Sequence, residues 1–195
     1  MPPNKFAFGP TRIPGLFLIE PKVQGDHRGF FVEYYNHEAF AKAGIDLPFV
    51  QDNHSRSQKG VLRGLHFQRT HPQGKLIRVV AGVVFDVTVD LRKGSPTFGK
   101  WWGIELNAEN HKMVYVPRGC AHGFLTLTDN VDFMYKCTDL YNPEDEGGLI
   151  WDDPKVGIEW PLDKVGGTVK LSERDKKWPS LDRLDVIYDF KKYKI

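Results

Sequence analysis

Cysteine is scarce in this chain: Cys120 and Cys137 are the only two among 195 residues, and they form no CxxC pair. A disulfide-framework protein is therefore not expected, and the pair fits reduced thiols in a cytoplasmic setting, with a single Cys120–Cys137 bridge left open. An excess of one charge is lacking too. The 27 basic and 25 acidic residues are interspersed and leave a net charge of +2, so there is no electrostatic footprint for DNA, RNA or an anionic membrane, although local basic residues can still bind a phosphorylated small molecule. No apolar run approaches the ~20 residues needed to span a bilayer, and Met1-Pro2-Pro3-Asn4-Lys5-Phe6 lacks the apolar segment of a signal peptide. A soluble, intracellular protein is expected. Gly-x-Ser-x-Gly, Walker and Gly-x-Gly-x-x-Gly patterns are missing as well, which removes support for serine-nucleophile hydrolysis, P-loop chemistry and Rossmann cofactor binding.

What the chain does have is punctuation. Thirteen prolines and nineteen glycines separate short segments rich in Val, Ile, Phe, Tyr and Trp, the pattern of an antiparallel β domain rather than of βαβ units. Strands are predicted over residues 16–19, 29–35, 60–68, 75–80, 83–91, 100–106, 112–116, 123–128 and 131–138. In one of them Val83, Phe85, Val87 and Val89 alternate with Val84, Asp86, Thr88 and Asp90, giving an apolar face and a mixed one. A helix is predicted over 37–43, ended by Gly44, and short helical turns after Trp160. So many short strands must close or stack to protect their edges, which leaves a barrel or a double-sheet jelly roll, the second favoured. The expected fold class is mainly β: a double-stranded β-helix or jelly roll with short peripheral helices. At this length, where folding buries roughly 70% of the unfolded surface, residues 1–195 are expected to form one domain with an N-terminal arm and a short C-terminal helical segment. The tail from Glu173 carries Trp178, Leu184, Ile187 and Phe190 and is expected to pack on that domain.

Histidines set in β-branched sequence supply the candidate chemistry, because an interior imidazole with polar neighbours can move protons near neutral pH. They lie in Gln51-Asp52-Asn53-His54-Ser55, in Leu62-Arg63-Gly64-Leu65-His66-Phe67-Gln68 and in Pro117-Arg118-Gly119-Cys120-Ala121-His122-Gly123-Phe124. His66 shares strand parity with Leu62, Gly64 and Gln68, an open and polar face, though a core histidine satisfied by a carbonyl has the same local sequence. His122 fits either a site or a turn-capping role. Tyr135 shares parity with Val131, Phe133 and Cys137 and should point inward, where its hydroxyl needs a partner. Lys75 follows the Pro72-Gln73-Gly74 turn and fits either a site cation or a snorkelling surface lysine. The segment around His122 also resembles half of a metal-cupin signature, but His66-Phe67-Gln68 replaces the His-x-His pair and no carboxylate follows before Asp86. With two imidazoles the ligand set is incomplete, so no metal is expected.

Taken in order, a longer set of landmarks resembles the dTDP-4-dehydrorhamnose 3,5-epimerases, cupin-like jelly rolls. The landmarks are Glu20-Pro21, Asp26-His27-Arg28-Gly29-Phe30-Phe31, Phe49 to Ser55, Leu62 to Gln68, Gln73-Gly74-Lys75-Leu76, Phe85-Asp86-Val87, Asp90-Leu91-Arg92-Lys93, Ala121-His122-Gly123-Phe124, Tyr135-Lys136 and Gly157-Ile158-Glu159-Trp160-Pro161. The resemblance implies a cofactor-free epimerase of a nucleotide-linked 4-keto-6-deoxyhexose, typically a homodimer. By resemblance His66 is the base at C3 or C5, Asp175 the carboxylate that orients it, Lys75 the cation at the enolate oxygen, and Tyr135 the acid on the opposite face. Substrate contacts are implied for Arg28, Glu33, Gln51, Asp52, Asn53, Arg63, His122, Glu146 and Arg174. Strand parity separates Arg63 from His66 unless Gly64 marks a bulge, so Arg63 is expected at the rim or toward a partner subunit. Arg174 stands where Lys is usual. Cys120 replaces a bulky aromatic, which is expected to enlarge the pocket or alter the sugar accepted. A single-position epimerase or an isomerase of a related nucleotide 4-keto-6-deoxy sugar, and a non-catalytic sugar-binding jelly roll, are the alternatives; the joint presence of His66, Lys75, Tyr135 and Asp175 argues against the last.

Overall fold

The structure, a computed structural model, describes residues 5–185 and 188–193. Its strands are β1 (Phe6–Pro10), β2 (Phe17–Pro21), β3 (Val23–Asp26), β4 (Gly29–Val32), β5 (Gln51–Ser57), β6 (Leu62–Gln68), β7 (Lys75–Ala81), β8 (Val83–Asp90), β9 (Trp101–Asn107), β10 (Met113–Val116), β11 (Cys120–Thr126), β12 (Val131–Cys137) and β13 (Glu146–Gly148), with one helix, α1 (His37–Lys42). They form a six-stranded sheet in the order β1-β2-β10-β7-β12-β5, a five-stranded sheet in the order β13-β6-β11-β8-β9, and a separate β3-β4 hairpin. Every pairing between these strands is antiparallel. This is the expected jelly roll.

Apolar side chains from β7, β10 and β12 meet those from β8, β9 and β11 in a core that includes Ile77, Val79, Val84, Leu106, Val114, Phe124 and Phe133. That core holds the two sheets face to face. Outside the six-stranded sheet, α1 seats Phe40 against Phe6 and Phe8 in edge-to-face contacts. Asn36 caps the helix by accepting from the Ala39 amide at 3.1 Å, and Gly44 ends it at φ 93°, a conformation that favours glycine.

Beyond β13 the chain runs through short helical turns at Leu162–Val165, Asp175–Lys177 and Leu181–Arg183. It covers the outer face of the five-stranded sheet, where Trp160 and Tyr188 are buried with Leu62, Leu65, Val87 and Leu125. The tail packs on the sheet as expected; its Ile187 lies outside the described residues. Bridges Val61↔Lys170 and Lys93↔Asp189 tie it down. The buried Arg92 fixes both ends of the chain, bonding Asp90 at 2.8 Å and the Pro14 carbonyl at 2.9 Å and lying 5.1 Å from the Phe190 ring centroid.

All nine predicted strands form, with shifted ends. Four observed strands, β1, β3, β5 and β13, were not anticipated. β5 reads Gln-Asp-Asn-His-Ser-Arg-Ser and lacks apolar alternation, because its inner face lines a polar cavity rather than a core.

Candidate active site

At one end of the roll the two sheets part around a cavity of about 270 Å3. The five-stranded sheet contributes Arg63, His66 and Gln68 from β6, His122 and Phe124 from β11, and Glu146 from β13. Facing them, the six-stranded sheet contributes Gln51, Asn53 and Ser55 from β5, Lys75 from β7, and Phe133, Tyr135 and Cys137 from β12. Phe67, Gln73, Tyr141 and Arg174 complete the lining. Phe124 and Phe133 stack at 3.9 Å between centroids and give the cavity an apolar side.

His66 Nε2 lies 2.6 Å from Asp175 Oδ1, so the ring nitrogen left for the cavity is Nδ1. Asp175 is buried and reaches His66 from the tail. Its other contacts are the Trp178 Nε1–H, which donates to Oδ1 at 3.2 Å, and Ser172, whose Oγ accepts from the Asp175 amide at 3.1 Å. Burial pushes the Asp175 carboxyl up, but the hydrogen bonds and charge of His66, with help from Ser172 and Trp178, outweigh it and hold the group below the ordinary carboxylate value. A histidine held by a carboxylate in this way can accept a proton at its other nitrogen and be stabilised once it has done so.

On the opposite wall, burial pushes the Tyr135 hydroxyl up to about 12, aided by Cys137 and opposed by Arg63. At neutral pH it is a proton donor. Lys75 Nζ lies 6.0 Å from the Tyr135 ring centroid. Among the described residues no carboxylate lies within ion-pair reach of Lys75. Burial pulls its ammonium down, with Cys137, Glu146 and Asp86 pulling it back up. A cation so placed is an unspent charge for a developing oxyanion.

His122 also turns Nε2 to a carboxylate, Asp86 Oδ2 at 2.8 Å, and Asp86 is fully buried. The role of Asp86 was missed in the sequence, although a carboxylate at the inward parity of an apolar strand was a usable signal. Among the described residues no three His, Cys, Asp or Glu side chains converge as metal ligands.

Arg28, Glu33 and Asp52 fall outside the cavity, Cys120 does not widen it, and Arg63 reaches its expected place at the rim by a route that parity alone did not give. Arg63 lines the same cavity as His66, because the β6–β11 register shifts between His122 and Phe124 and Gly64, at φ 127°, cancels the parity difference. It is exposed and bonds Ser57 Oγ at 3.1 Å, so it sits at the mouth. Arg28 lies outside the cavity, on the exposed β3-β4 hairpin, paired with Asp26 at 2.6 Å. Glu33 follows that hairpin and pairs with Lys5 at 2.7 Å. Asp52 alternates with Gln51 and Asn53 along β5 and so faces away from the cavity, toward Lys136 at 2.7 Å. Glu146 and Arg174 do meet, as an ion pair at the cavity edge, and Tyr141 donates to Glu146 at 3.1 Å. Cys120 is buried in the inter-sheet core and is not among the cavity-lining residues, so an enlarged pocket does not follow from its size. Cys137 is the cysteine in the wall, and both thiols are free.

This architecture has close relatives. A statistical model of the dTDP-4-dehydrorhamnose 3,5-epimerase family matches residues 10–183. The chain belongs to this family. The dTDP-4-dehydrorhamnose 3,5-epimerase of Methanothermobacter thermautotrophicus is 51% identical over 177 residues, covering 91% of this chain and 95% of that protein. The Salmonella typhimurium epimerase of the same name is 51% identical over 175 residues, covering 89% and 94%. Among solved structures, the dTDP-6-deoxy-D-glucose-3,5-epimerase of Legionella pneumophila, in complex with dTDP-4-keto-L-rhamnose, superposes with a TM-score of 0.90 at 48% identity, covering 94% of this chain and 98% of that one. Membership in this epimerase family makes the protein an isomerase with a cupin-like jelly-roll fold. No helix among the described residues is long and apolar enough to cross a membrane.

Proposed function

We propose that this protein inverts C3 and C5 of dTDP-4-dehydro-6-deoxy-D-glucose to give dTDP-4-dehydro-L-rhamnose, in dTDP-L-rhamnose biosynthesis and without a cofactor. The observation that carries the reading is that His66 projects from the five-stranded sheet and Tyr135 from the six-stranded one, on opposite walls of one cavity. Inversion needs that arrangement, since a single base returning its own proton restores the starting configuration.

In this reading the C4 ketone acidifies the neighbouring carbons, His66 Nδ1 takes the C3 or C5 proton, and the imidazolium is stabilised by Asp175. The electrons move to O4 as an enolate, which Lys75 stabilises more than it does the neutral ketone. Tyr135 then delivers its proton to carbon from the other face, and exchange with solvent resets both groups. Gln51, Asn53, Arg63, His122, Glu146 and Arg174 bind the nucleotide sugar, the arginine forks suiting its diphosphate.

Arg28 and Glu33 have no place in the cavity of their own chain, and the hairpin beside them exposes Phe30 and Phe31 at 63% and 69%. Both facts support a homodimer in which the hairpin of one protomer completes the cavity of its partner. The whole chain works in this reading as one domain, and the two free, buried cysteines support a reducing, cytoplasmic compartment.

The deciding experiment is proton NMR of the substrate incubated with the protein in D2O. Deuterium at both C3 and C5, abolished in His66→Ala, is expected; incorporation at one carbon would make it a single-position epimerase, and none would overturn the reading.

A further inference from the structure

Two donors converge on one oxygen of Asp175. His66 Nε2 approaches Oδ1 at 2.6 Å and Trp178 Nε1 approaches the same atom at 3.2 Å. The indole is itself closely held. Gly148 stands opposite His66 in the β13–β6 register, and a Cβ at Gly148 would overlap ring atoms of Trp178. The indole therefore rests directly on the β13 backbone, its ring edge-to-face with His66 at 6.2 Å and 71°. Only the short turn Asp175–Lys177 separates the carboxylate from the indole, so donor and acceptor belong to one compact segment.

We propose that Trp178 is a positioning residue for the epimerisation: its N–H pins Asp175 Oδ1, and through that oxygen it fixes the His66 ring so that Nδ1 faces the substrate. The inference rests on the reading of His66 as the base. A carboxylate with one donor can swing and meet the imidazole through either oxygen, whereas a rigid indole seated on a glycine leaves it one orientation. Sharing Oδ1 also draws negative charge away from His66, because each donor polarises the same lone pairs. The other charged groups near the dyad are Arg174 beside Asp175 and Glu146 on β13, which Arg174 engages. Both persist when the indole is changed.

The test compares the full-length protein with Trp178→Phe, which keeps an aromatic ring over Gly148 and deletes the donor. His66→Asn is assayed beside it. The expected result is a kcat lowered roughly tenfold, the scale of one hydrogen bond to a charged group, with KM changed by less than about twofold. The acidic limb of the kcat/KM profile should move up, because an unshared carboxylate stabilises the imidazolium more strongly. Gly148→Ala, which pushes the indole off its seat, should reproduce the kcat loss, and the double variant should be no slower than either single one. If Trp178→Phe keeps the wild-type kcat and limb, or loses activity only in proportion to folded protein with the limb unmoved, Trp178 is a packing residue and the assignment falls. If His66→Asn still exchanges substrate protons with D2O, the base assignment itself fails, whatever Trp178→Phe does.

Discussion

Replacing Asp175 by Asn removes one charge and almost no volume, which isolates the electrostatic share of the dyad. His66 Nε2 and Asp175 Oδ1 are 2.6 Å apart and the carboxylate is buried. With charge centres about 4 Å apart, an effective dielectric near 20 gives about 4 kcal/mol of attraction between carboxylate and imidazolium. The amide keeps part of this as a dipole, so about 3 kcal/mol of transition-state stabilisation is lost, equivalent to roughly a 150-fold fall in kcat. The assay is initial-rate epimerisation followed by NMR, with KM measured in parallel; KM should hold, since the imidazolium exists only after proton transfer. A kcat within about fivefold of wild type would refute the electrostatic argument. Stability supplies a second check. The Asp175 carboxyl is held low in the folded protein, so its stabilising contribution is complete above the unfolded carboxylate value of about 3.9 and disappears as pH falls through the lower folded value. Acid unfolding of Asp175→Asn should accordingly lose part of its pH dependence below about pH 4.

Tyr135→Phe should retain removal of the substrate proton yet lose inversion by roughly 100-fold or more, visible as deuterium washed in with retained configuration. Lys75→Met should abolish turnover and raise the melting temperature of the free protein, since burial holds the ammonium below its ordinary value; a lower melting temperature would contradict this. In the wild type that lysine makes stability rise with pH as pH climbs from its lowered folded value toward the unfolded value of about 10.4, a slope that Lys75→Met should lack in chemical denaturation. Gly123→Ala sets a Cβ 2.7 Å from the Arg63 carbonyl and 3.1 Å from Gly64 Cα. It should destabilise by roughly 3 kcal/mol by urea titration, and a change under about 1 kcal/mol would mean that β6 and β11 yield more than their packing indicates.

The parts of the fold legible in the sequence are those where one physical signal dominated. Val83 to Asp90 alternates and becomes β8; Gly44 ends α1 as a left-handed terminator should. β5 was hidden because the cavity replaced its apolar face with Gln51, Asn53 and Ser55. Arg63 lies at the rim as expected, but the parity argument for it needed the exception that Gly64 supplies: strand parity holds only while register does, and the shift beside Gly64 returns its side chain to the face of His66. Tyr135 and His66 could be ranked from their strands. Asp175 and Trp178 carry no local periodicity that points to a histidine; resemblance alone marked the first, and only the folded tail brings the second to it.

The distance along the chain between the proposed base and its carboxylate bears on synthesis as well as on chemistry. His66 and Asp175 are 109 residues apart, whereas the strands that bear the proposed base, cation and acid are complete at Cys137. At about 5–20 residues per second, a ribosome takes several seconds to cover the interval from there to the turn that holds Asp175. In the proposed mechanism catalytic competence therefore waits for the last segment, which also brings Trp178 to Asp175 and buries Tyr188 on the five-stranded sheet.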